Sequence, residues 1–259
     1  MTITSPHNPL LKRARALLTR KGRAAQAAFL VEGPRAIATV LAAGARLEAV
    51  LVEPEAAAPE LHGQLAAAGL EPILCAAGLL AEVCETETPQ GWLAIVRAPS
   101  FEGWATPPDR LLVLDGVQDP GNVGTLLRTA DAVGAGVILA AGCADPLSPK
   151  VVRASAGAVV RVPWRRLSVA EARNWLTRIG REVIVLDSAG GEELSGAPLP
   201  WPLALVAGSE AHGPSAAWDD CPRRRLPMRP GAESLNVAIA AAVALYESVR
   251  QHGTGDDGA

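Results

Sequence analysis

Apolar and polar positions fall into short blocks along the whole chain, and the blocks switch repeatedly between helical and extended periodicity. Near the start, Leu10, Ala14, Leu17 and Leu18 share one face of a helix that Asn8 caps and Pro9 opens, running to about Lys21. Strands are expected at 29–31, 47–52 and 91–96, with helices at 34–43 and 57–68 between them. Residues 1–98 thus read as a small αβ domain. Pro99 to Pro108 carries three prolines and a glycine, which marks residues 99–109 as a linker.

Beyond it the alternation restarts. Strands are expected at 111–114, 136–140, 159–162, 183–186, 203–206 and 225–228, and helices at 123–133, 149–156, 169–179 and 235–249. Uncharged β-rich runs between helices predict an α/β domain over 110–252, with a mostly parallel sheet covered on both faces. Ligands of such sheets bind beyond the carboxyl ends of the strands. Residues 253–259 read as a frayed tail.

Composition narrows the class. With 259 residues, 49% apolar and 20% charged, the chain can bury an ample core, which argues against disorder overall. The uncharged run Ala132 to Ala144 is 13 residues long and interrupted by glycine, well short of the ~20 apolar residues of a membrane span. Lys12 to Arg15 break the only early apolar stretch, so no signal peptide is expected and the protein reads as cytoplasmic. Cys75, Cys84, Cys143 and Cys221 are widely spaced, without a C-x-x-C or a histidine partner pattern. They read as reduced core thiols, and no metal site is expected.

Charge is uneven. Residues 1–35 hold seven cations (Lys12, Arg13, Arg15, Arg20, Lys21, Arg23, Arg35) against Glu32 alone, a local +6 in a chain of net charge −3. A surface for a polyanion is one reading, and a solvated helix face is the other. Only nine aromatic residues (six Trp, two Phe, one Tyr) are present, too few for a base-stacking sheet.

Three segments combine strand ends, turns and polar side chains. The first, Asp115 to Asp131, leaves a strand through a Gly/Pro turn and enters a helix that Asn122 is placed to cap, with Arg128 six positions later. Taken alone, it also fits an ordinary βα unit with a surface arginine. The second, Leu205 to Gly213, is an apolar strand ending in Gly208-Ser209-Glu210, where small residues allow close approach to a ligand. It is not a G-x-S-x-G nucleophile elbow, and a hydrolase built on Ser209 and His212 would need a triad that sequence does not supply. The third, Leu226 to Ala238, holds Met228, Ser234, Leu235 and Asn236 just before an alanine-rich helix, where capping alone accounts for the serine and the asparagine. Neither G-x-G-x-x-G after a strand nor a P-loop motif occurs.

Taken in order, Asn122-x-Gly124-x-x-x-Arg128-x-Ala130, Gly208-Ser-Glu210 and Pro227-Met228 leading to Glu233-Ser-Leu-Asn-Val-Ala resemble the motifs of the SpoU (TrmH) family of RNA ribose methyltransferases. The resemblance is strong over about 110–250, and residues 1–98, with Asn8-Pro-Leu-Leu-Lys12 and Phe29-Leu-Val-Glu-Gly33, are similar to the family's substrate-binding domain. It implies the SPOUT superfamily fold, a parallel sheet with a C-terminal trefoil knot, S-adenosylmethionine as cofactor, a homodimer, and methyl transfer to a ribose 2′-hydroxyl of structured RNA. Ribosomal RNA, most of all 23S rRNA, is favoured over tRNA because of the extra N-terminal domain. A non-catalytic dimeric RNA-binding protein of the same fold is the competing expectation.

By the same matching, Arg128, Asn122, Glu210, Ser234 and Asn236 carry catalysis, while Gly208, Leu226, Met228, Leu235 and Asn236 enclose the cofactor. Lys12, Arg13, Arg15, Arg20, Lys21 and Arg23 are expected to hold RNA. A guanidinium with a pKa above ~12 is a poor general base, so electrostatic stabilisation is the expected role of Arg128. The chain departs from many relatives in reading Gly-Ser-Glu-Ala-His-Gly where they have Gly-Asn-Glu-Gly, and it places Glu233 beside Ser234.

Overall fold

The computed structural model describes residues 2–101, 104 and 106–254. Three positions of the expected linker (102, 103, 105) and five of the expected tail (255–259) lie outside the described residues. The chain divides into two compact units, one formed by 1–100 with 145–160 and the other by 101–144 with 161–259. A stretch from the middle of the sequence therefore belongs with the N-terminal unit.

The first unit is built on a four-stranded sheet of order β1-β4-β2-β3, with β1 at Ala28–Glu32, β2 at Leu47–Val52, β3 at Ile73–Leu74 and β4 at Trp92–Arg97. Strand β4 runs antiparallel to β1 and β2. Its helices are α1 (Pro9–Leu17), α2 (Arg20–Gln26), α3 (Pro34–Ala42) and α4 (Pro59–Ala67). To these is added α6 (Pro149–Ala154), which follows α5 (Pro120–Ala132) in the chain. Asn8 caps α1 as expected, accepting from Leu10 N at 2.9 Å. The single basic helix expected through Lys21 is instead two, because Thr19 accepts from Gly22 N at 3.0 Å and starts a second cap. A Cβ at Gly22 would stand 1.9 Å from Ala16 O, so the elbow between α1 and α2 requires glycine there. Leu11, Ala14 and Leu17 are fully buried and join Leu30, Leu51, Leu93 and Ile95 in one core.

The extended run expected at 159–162 is a 3₁₀ turn, Ala158–Val160. Ala156 and Gly157 just before it have φ of 47° and 82°, left-handed conformations that end α6 and prevent a strand. The strand forms further on, at Trp164–Arg166.

The second unit carries a seven-stranded sheet. Its strands are β5 (Arg110–Asp115), β6 (Gly136–Leu139), β7 (Trp164–Arg166), β8 (Glu182–Leu186), β9 (Glu192–Glu193), β10 (Leu203–Gly208) and β11 (Arg223–Arg225). The order is β7-β6-β5-β10-β8-β11-β9, and every pairing is parallel. Strands β5 and β10 are buried along their whole length, as the apolar runs require. Leu111, Val113, Ala204 and Val206 pack with Trp175 and Leu176 of α7 (Val169–Arg178) and with Trp218. The last helix, α8 (Val237–His252), begins two residues later than expected.

Arg110 closes the amino end of this sheet. It is 1% exposed and donates to Ser248 Oγ at 2.5 Å, Val133 O at 2.6 Å and Gly253 O at 2.7 Å. It thereby satisfies carbonyls at the ends of two helices, and burial lowers the pKa of its guanidinium. The four cysteines are free, and burial pushes the Cys75 thiol to about 11 and that of Cys84 to about 12, so both stay protonated. Among the described residues no helix is long and apolar enough to cross a membrane, and no cluster of His, Cys, Asp and Glu could hold a metal ion.

Candidate cofactor and acceptor site

The strand order of the second unit reverses beside β5. From β5 the chain moves outward to β6 and β7, then returns on the other side through β8 and β10. Open parallel sheets leave a crevice beyond the strand ends at such a point. Here a cavity of about 310 Å³ lies at the carboxyl ends of β8, β10 and β11. That volume is at the lower end of small-ligand sites, about 300–1,000 Å³. Apolar walls come from Leu186, Ala207, Leu226, Met228, Leu235 and Ala240, and polar groups from Asp187, Ser188, Glu210, Arg224, Ser234 and Asn236.

Two of these polar residues join a third from α5 in a chain of side-chain hydrogen bonds. Asn236 Nδ2 donates to Asn122 Oδ1 at 3.0 Å, and Asn122 Nδ2 donates to Glu210 Oε1 at 2.6 Å. Asn236 also caps α8, its Oδ1 accepting from Ala238 N at 2.8 Å and Ile239 N at 3.3 Å. Its side-chain oxygen and nitrogen thus each have a partner, which fixes its rotamer and, through Asn122, the orientation of Glu210. The expected capping role of Asn122 falls to Asp119, whose Oδ1 accepts from Asn122 N at 2.8 Å. Proline at the first helical position lets α5 start sharply, and Asn122 on its first turn faces the loop that carries Glu210.

All five residues expected to enclose the cofactor, Gly208, Leu226, Met228, Leu235 and Asn236, line the cavity, and so do Glu210 and Ser234. Ser234 makes no side-chain hydrogen bond among the described residues. Arg128 stands apart: it is exposed on α5, outside the cavity lining, and its side chain forms no ion pair or hydrogen bond among the described residues. Ser209 and His212 are joined only by His212 N donating to Ser209 Oγ at 3.1 Å. No imidazole reaches that hydroxyl among the described residues, so the serine-hydrolase alternative has no triad.

Three polar residues of the lining, Asp187, Ser188 and Arg224, carry no signal in the sequence. Asp187, at the end of β8, is held by Arg223, and its Oδ1 accepts from Ala189 N at 2.9 Å. Arg224 pairs with Glu192 at 3.1 Å, donates to Arg223 O at 3.2 Å and keeps a buried Nε without a partner. The strand expected at 225–228 lies at 223–225 instead, ending before Pro227, which has no N–H for a ladder.

In the first unit, the six expected RNA contacts separate by environment. Lys12, Arg20 and Lys21 are exposed and unpaired among the described residues. Arg13 pairs with Glu48 and also bonds Gln26, and Arg15 pairs with Glu82 at 2.6 Å. Arg23 is no surface cation at all. It is 5% exposed, holds Asp145 Oδ2 at 2.7 and 2.9 Å, and donates to the carbonyls of Leu17 and Leu18, each at 2.8 Å. Its charge joins α2 to the 145–160 segment, which removes it from any RNA-facing set.

This lining, apolar at Leu226, Met228 and Leu235 and polar at Glu210, Ser234 and Arg224, fits the chemistry of a nucleoside-type cofactor. Fold and site together define an α/β protein with a nucleoside-sized cavity at the carboxyl ends of its parallel strands. The chain belongs to the SpoU rRNA methylase family, which matches residues 109–246, and the MRM3-like substrate binding domain matches residues 8–94. It is 36% identical to an uncharacterized tRNA/rRNA methyltransferase of Synechocystis, over 96% of this chain and 94% of that one. It is 33% identical to RlmP of Bacillus subtilis, a 23S rRNA guanosine 2′-O-methyltransferase, over 94% and 97%. Among solved structures, the AviRb methyltransferase of Streptomyces viridochromogenes in complex with AdoMet superposes with a TM-score of 0.84 at 30% identity, covering 96% of this chain and all of that one.

Proposed function

We propose that the protein transfers the methyl group of S-adenosylmethionine to a ribose 2′-hydroxyl of structured RNA, with 23S ribosomal RNA as the acceptor. The observation that carries this reading is the Asn236–Asn122–Glu210 chain at the edge of a nucleoside-sized cavity. When bound, the cofactor supplies a methyl group already activated on a sulfonium. What remains for the chain is to hold an acceptor hydroxyl in line, take up its hydrogen bond and stabilise the charge on its oxygen.

Glu210 spends Oε1 on Asn122 and keeps Oε2 without a protein partner among the described residues. That oxygen accepts from the ribose hydroxyl and orients it. Arg128 stabilises the developing alkoxide. In the transfer the sulfonium carbon–sulfur bond breaks, a carbon–oxygen bond forms, the hydroxyl proton passes to solvent, and S-adenosylhomocysteine leaves. Lys12, Arg20 and Lys21 supply the salt-sensitive part of RNA affinity.

The protein acts as a homodimer. Ile239, Val243 and Tyr246 on one face of α8, and Leu235 just before it, are 45–55% exposed, beside a groove lined by Leu194, Pro227 and Leu226. Leu226 and Leu235 also line the cofactor cavity, so a second copy on this face closes the site; because Arg128 stands outside its own subunit's cavity lining, the arginine we assign to the acceptor is the partner's. Its place of action is the cytoplasm, where ribosomal RNA is found.

Purified protein incubated with methyl-labelled S-adenosylmethionine and either rRNA or tRNA tests the acceptor. Label in rRNA is expected. Label in tRNA alone moves the substrate, and cofactor binding without label in either leaves an RNA-binding protein.

A further inference from the structure

The geometry assigns to Asp115, a residue outside the family motifs quoted above, the role of positioning residue for the loop that carries Glu210; the inference rests on reading the neighbouring cavity as the cofactor site. Asp115 ends β5, is 6% exposed and lies in register beside Gly208 at the end of β10. Its Oδ2 accepts from Ser215 N at 2.7 Å and from the indole Nε1 of Trp218 at 3.1 Å. Trp218 is fully buried in the core of the second unit. No cation pairs with this carboxylate among the described residues, and the two N–H donors on Oδ2 are what holds it in place. Charge-assisted bonds of this kind are stronger than neutral ones, and a buried carboxylate left without them is heavily penalised.

What Asp115 holds is the wall of the cavity. From Gly208 the chain turns back on itself through residues 209–215. Ser209 N donates to Gly213 O at 3.1 Å, and Gly213 N donates to Ser209 O at 2.9 Å. These bonds fix the loop's shape but not its place. A Cβ at Gly208 would stand 2.0 Å from Pro214 N, so the returning strand of the loop lies directly over Gly208. Gly208, Ser209, Glu210, Gly213 and Pro214 all face the cavity. The bond from Ser215 to Asp115 ties the far end of this loop to the sheet, one strand over from where it began. Glu210 at the tip is then caught by Asn122 at 2.6 Å. Releasing the tether frees the end of the loop that follows Pro214, and both the cofactor wall and the Glu210 carboxylate move with it.

The relevant chemistry is acceptance of two N–H groups by one oxygen, not a negative charge as such. An asparagine can present its carbonyl oxygen in the same place, whereas alanine cannot. Three variants, Asp115→Ala, Asp115→Asn and Trp218→Phe, are compared with Leu176→Ala, a substitution in the same core away from the loop. Two readouts are taken: hydrogen exchange of the Ser215 amide in the ligand-free protein, and calorimetric affinity for S-adenosylhomocysteine. Asp115→Ala is expected to accelerate exchange at Ser215 and weaken S-adenosylhomocysteine roughly tenfold or more, because the Ser215 and Trp218 N–H groups lose their shared acceptor. Trp218→Phe should fall between Asp115→Ala and the wild type, and Asp115→Asn should stay within about threefold of it, since it keeps the acceptor.

Leu176→Ala should lower Tm while leaving affinity intact. Unchanged exchange and affinity in Asp115→Ala would overturn the proposal. So would an Asp115→Asn variant as impaired as the alanine, or a Leu176→Ala variant that loses affinity as much. If the alanine variant does not fold, the asparagine and phenylalanine variants decide by the same two readouts. Wild-type protein that fails to bind S-adenosylhomocysteine would defeat the cofactor reading instead, and the exchange measurement does not depend on it.

Discussion

Asn236 Nδ2 reaches Asn122 Oδ1 at 3.0 Å across 114 residues of sequence, while Asn236 Oδ1 caps the helix that follows it. One side chain therefore serves both the stability of α8 and the orientation of the site. Asn236→Ala is expected to cost about 1 kcal/mol through the lost cap and to lower both cofactor affinity and turnover. Asn236→Asp keeps the capping oxygen but has no donor for Asn122. Thermal melts should show it close to wild type in stability, and methylation assays should show it as slow as the alanine variant. A fast Asn236→Asp enzyme would mean that the bond to Asn122 is not needed.

Arg128 is exposed and unbonded among the described residues, so Arg128→Ala should change stability by less than about 0.5 kcal/mol and leave cofactor affinity intact while turnover is lost. Mixing it with Asn236→Ala tests where the arginine acts. Refolded together, half the dimers are mixed, and one site in each mixed dimer combines an intact Asn236 with an intact Arg128 from the other subunit. Activity of about a quarter of wild type is expected if the arginine works across the interface. No recovery would place it in its own subunit's site.

The basic face of the first unit separates into free and committed cations. Charge reversal at Arg20 and Lys21 should weaken RNA binding and flatten its dependence on salt, because fewer counterions are released. Arg23→Ala should act on stability instead, since it removes the ion pair to Asp145 and the guanidinium bonds to two carbonyls. Filter binding over a salt series, alongside urea denaturation, separates the two. An Arg23→Ala protein of normal stability with a reduced salt slope would contradict this division.

Two carboxylates are held well below their ordinary range, Glu247 at about 2 by Arg250 and Gln251, and Asp220 at about 2 by Arg173. A depressed native value means that the unfolded chain binds protons first as pH falls. The stability these pairs contribute is therefore complete above pH ~4.5 and lost between there and pH ~2. Glu247→Gln should be less stable than wild type at pH 6, with the difference shrinking to nothing near pH 2. A difference that persists at pH 2 would assign the effect to packing.

Much of the parallel sheet was legible because β5 and β10 are unbroken apolar runs whose length matches a buried strand. The short edge strands were not: β9 is two glutamates and β7 is Trp-Arg-Arg, sequences that carry no apolar period and are extended only because a neighbour pairs with them. The break between α1 and α2 hides in a weak signal, a threonine three residues before a glycine. In the site, the three motifs could be ordered along the chain, yet that Asn122, Glu210 and Asn236 touch is a property of the strand order, which periodicity does not encode. Asp115 opens the first of the three segments but carries no role there, because a carboxylate at a strand end reads as a surface residue until Ser215 and Trp218 donate to it. Arg23 misled for the opposite reason, since a basic run gives no hint that one of its members is buried against an aspartate 122 residues away.

On the proposed mechanism, Glu210 and its partners present a ribose hydroxyl, and no other nucleophile, to the cofactor. Alkaline hydrolysis of the methylated RNA reads that out directly, because strand cleavage needs a free 2′-hydroxyl and a 2′-O-methyl group blocks it at one linkage. Recovery of the label in an alkali-resistant dinucleotide is the expected result. Recovery in a mononucleotide carrying the methyl group on its base would contradict the account.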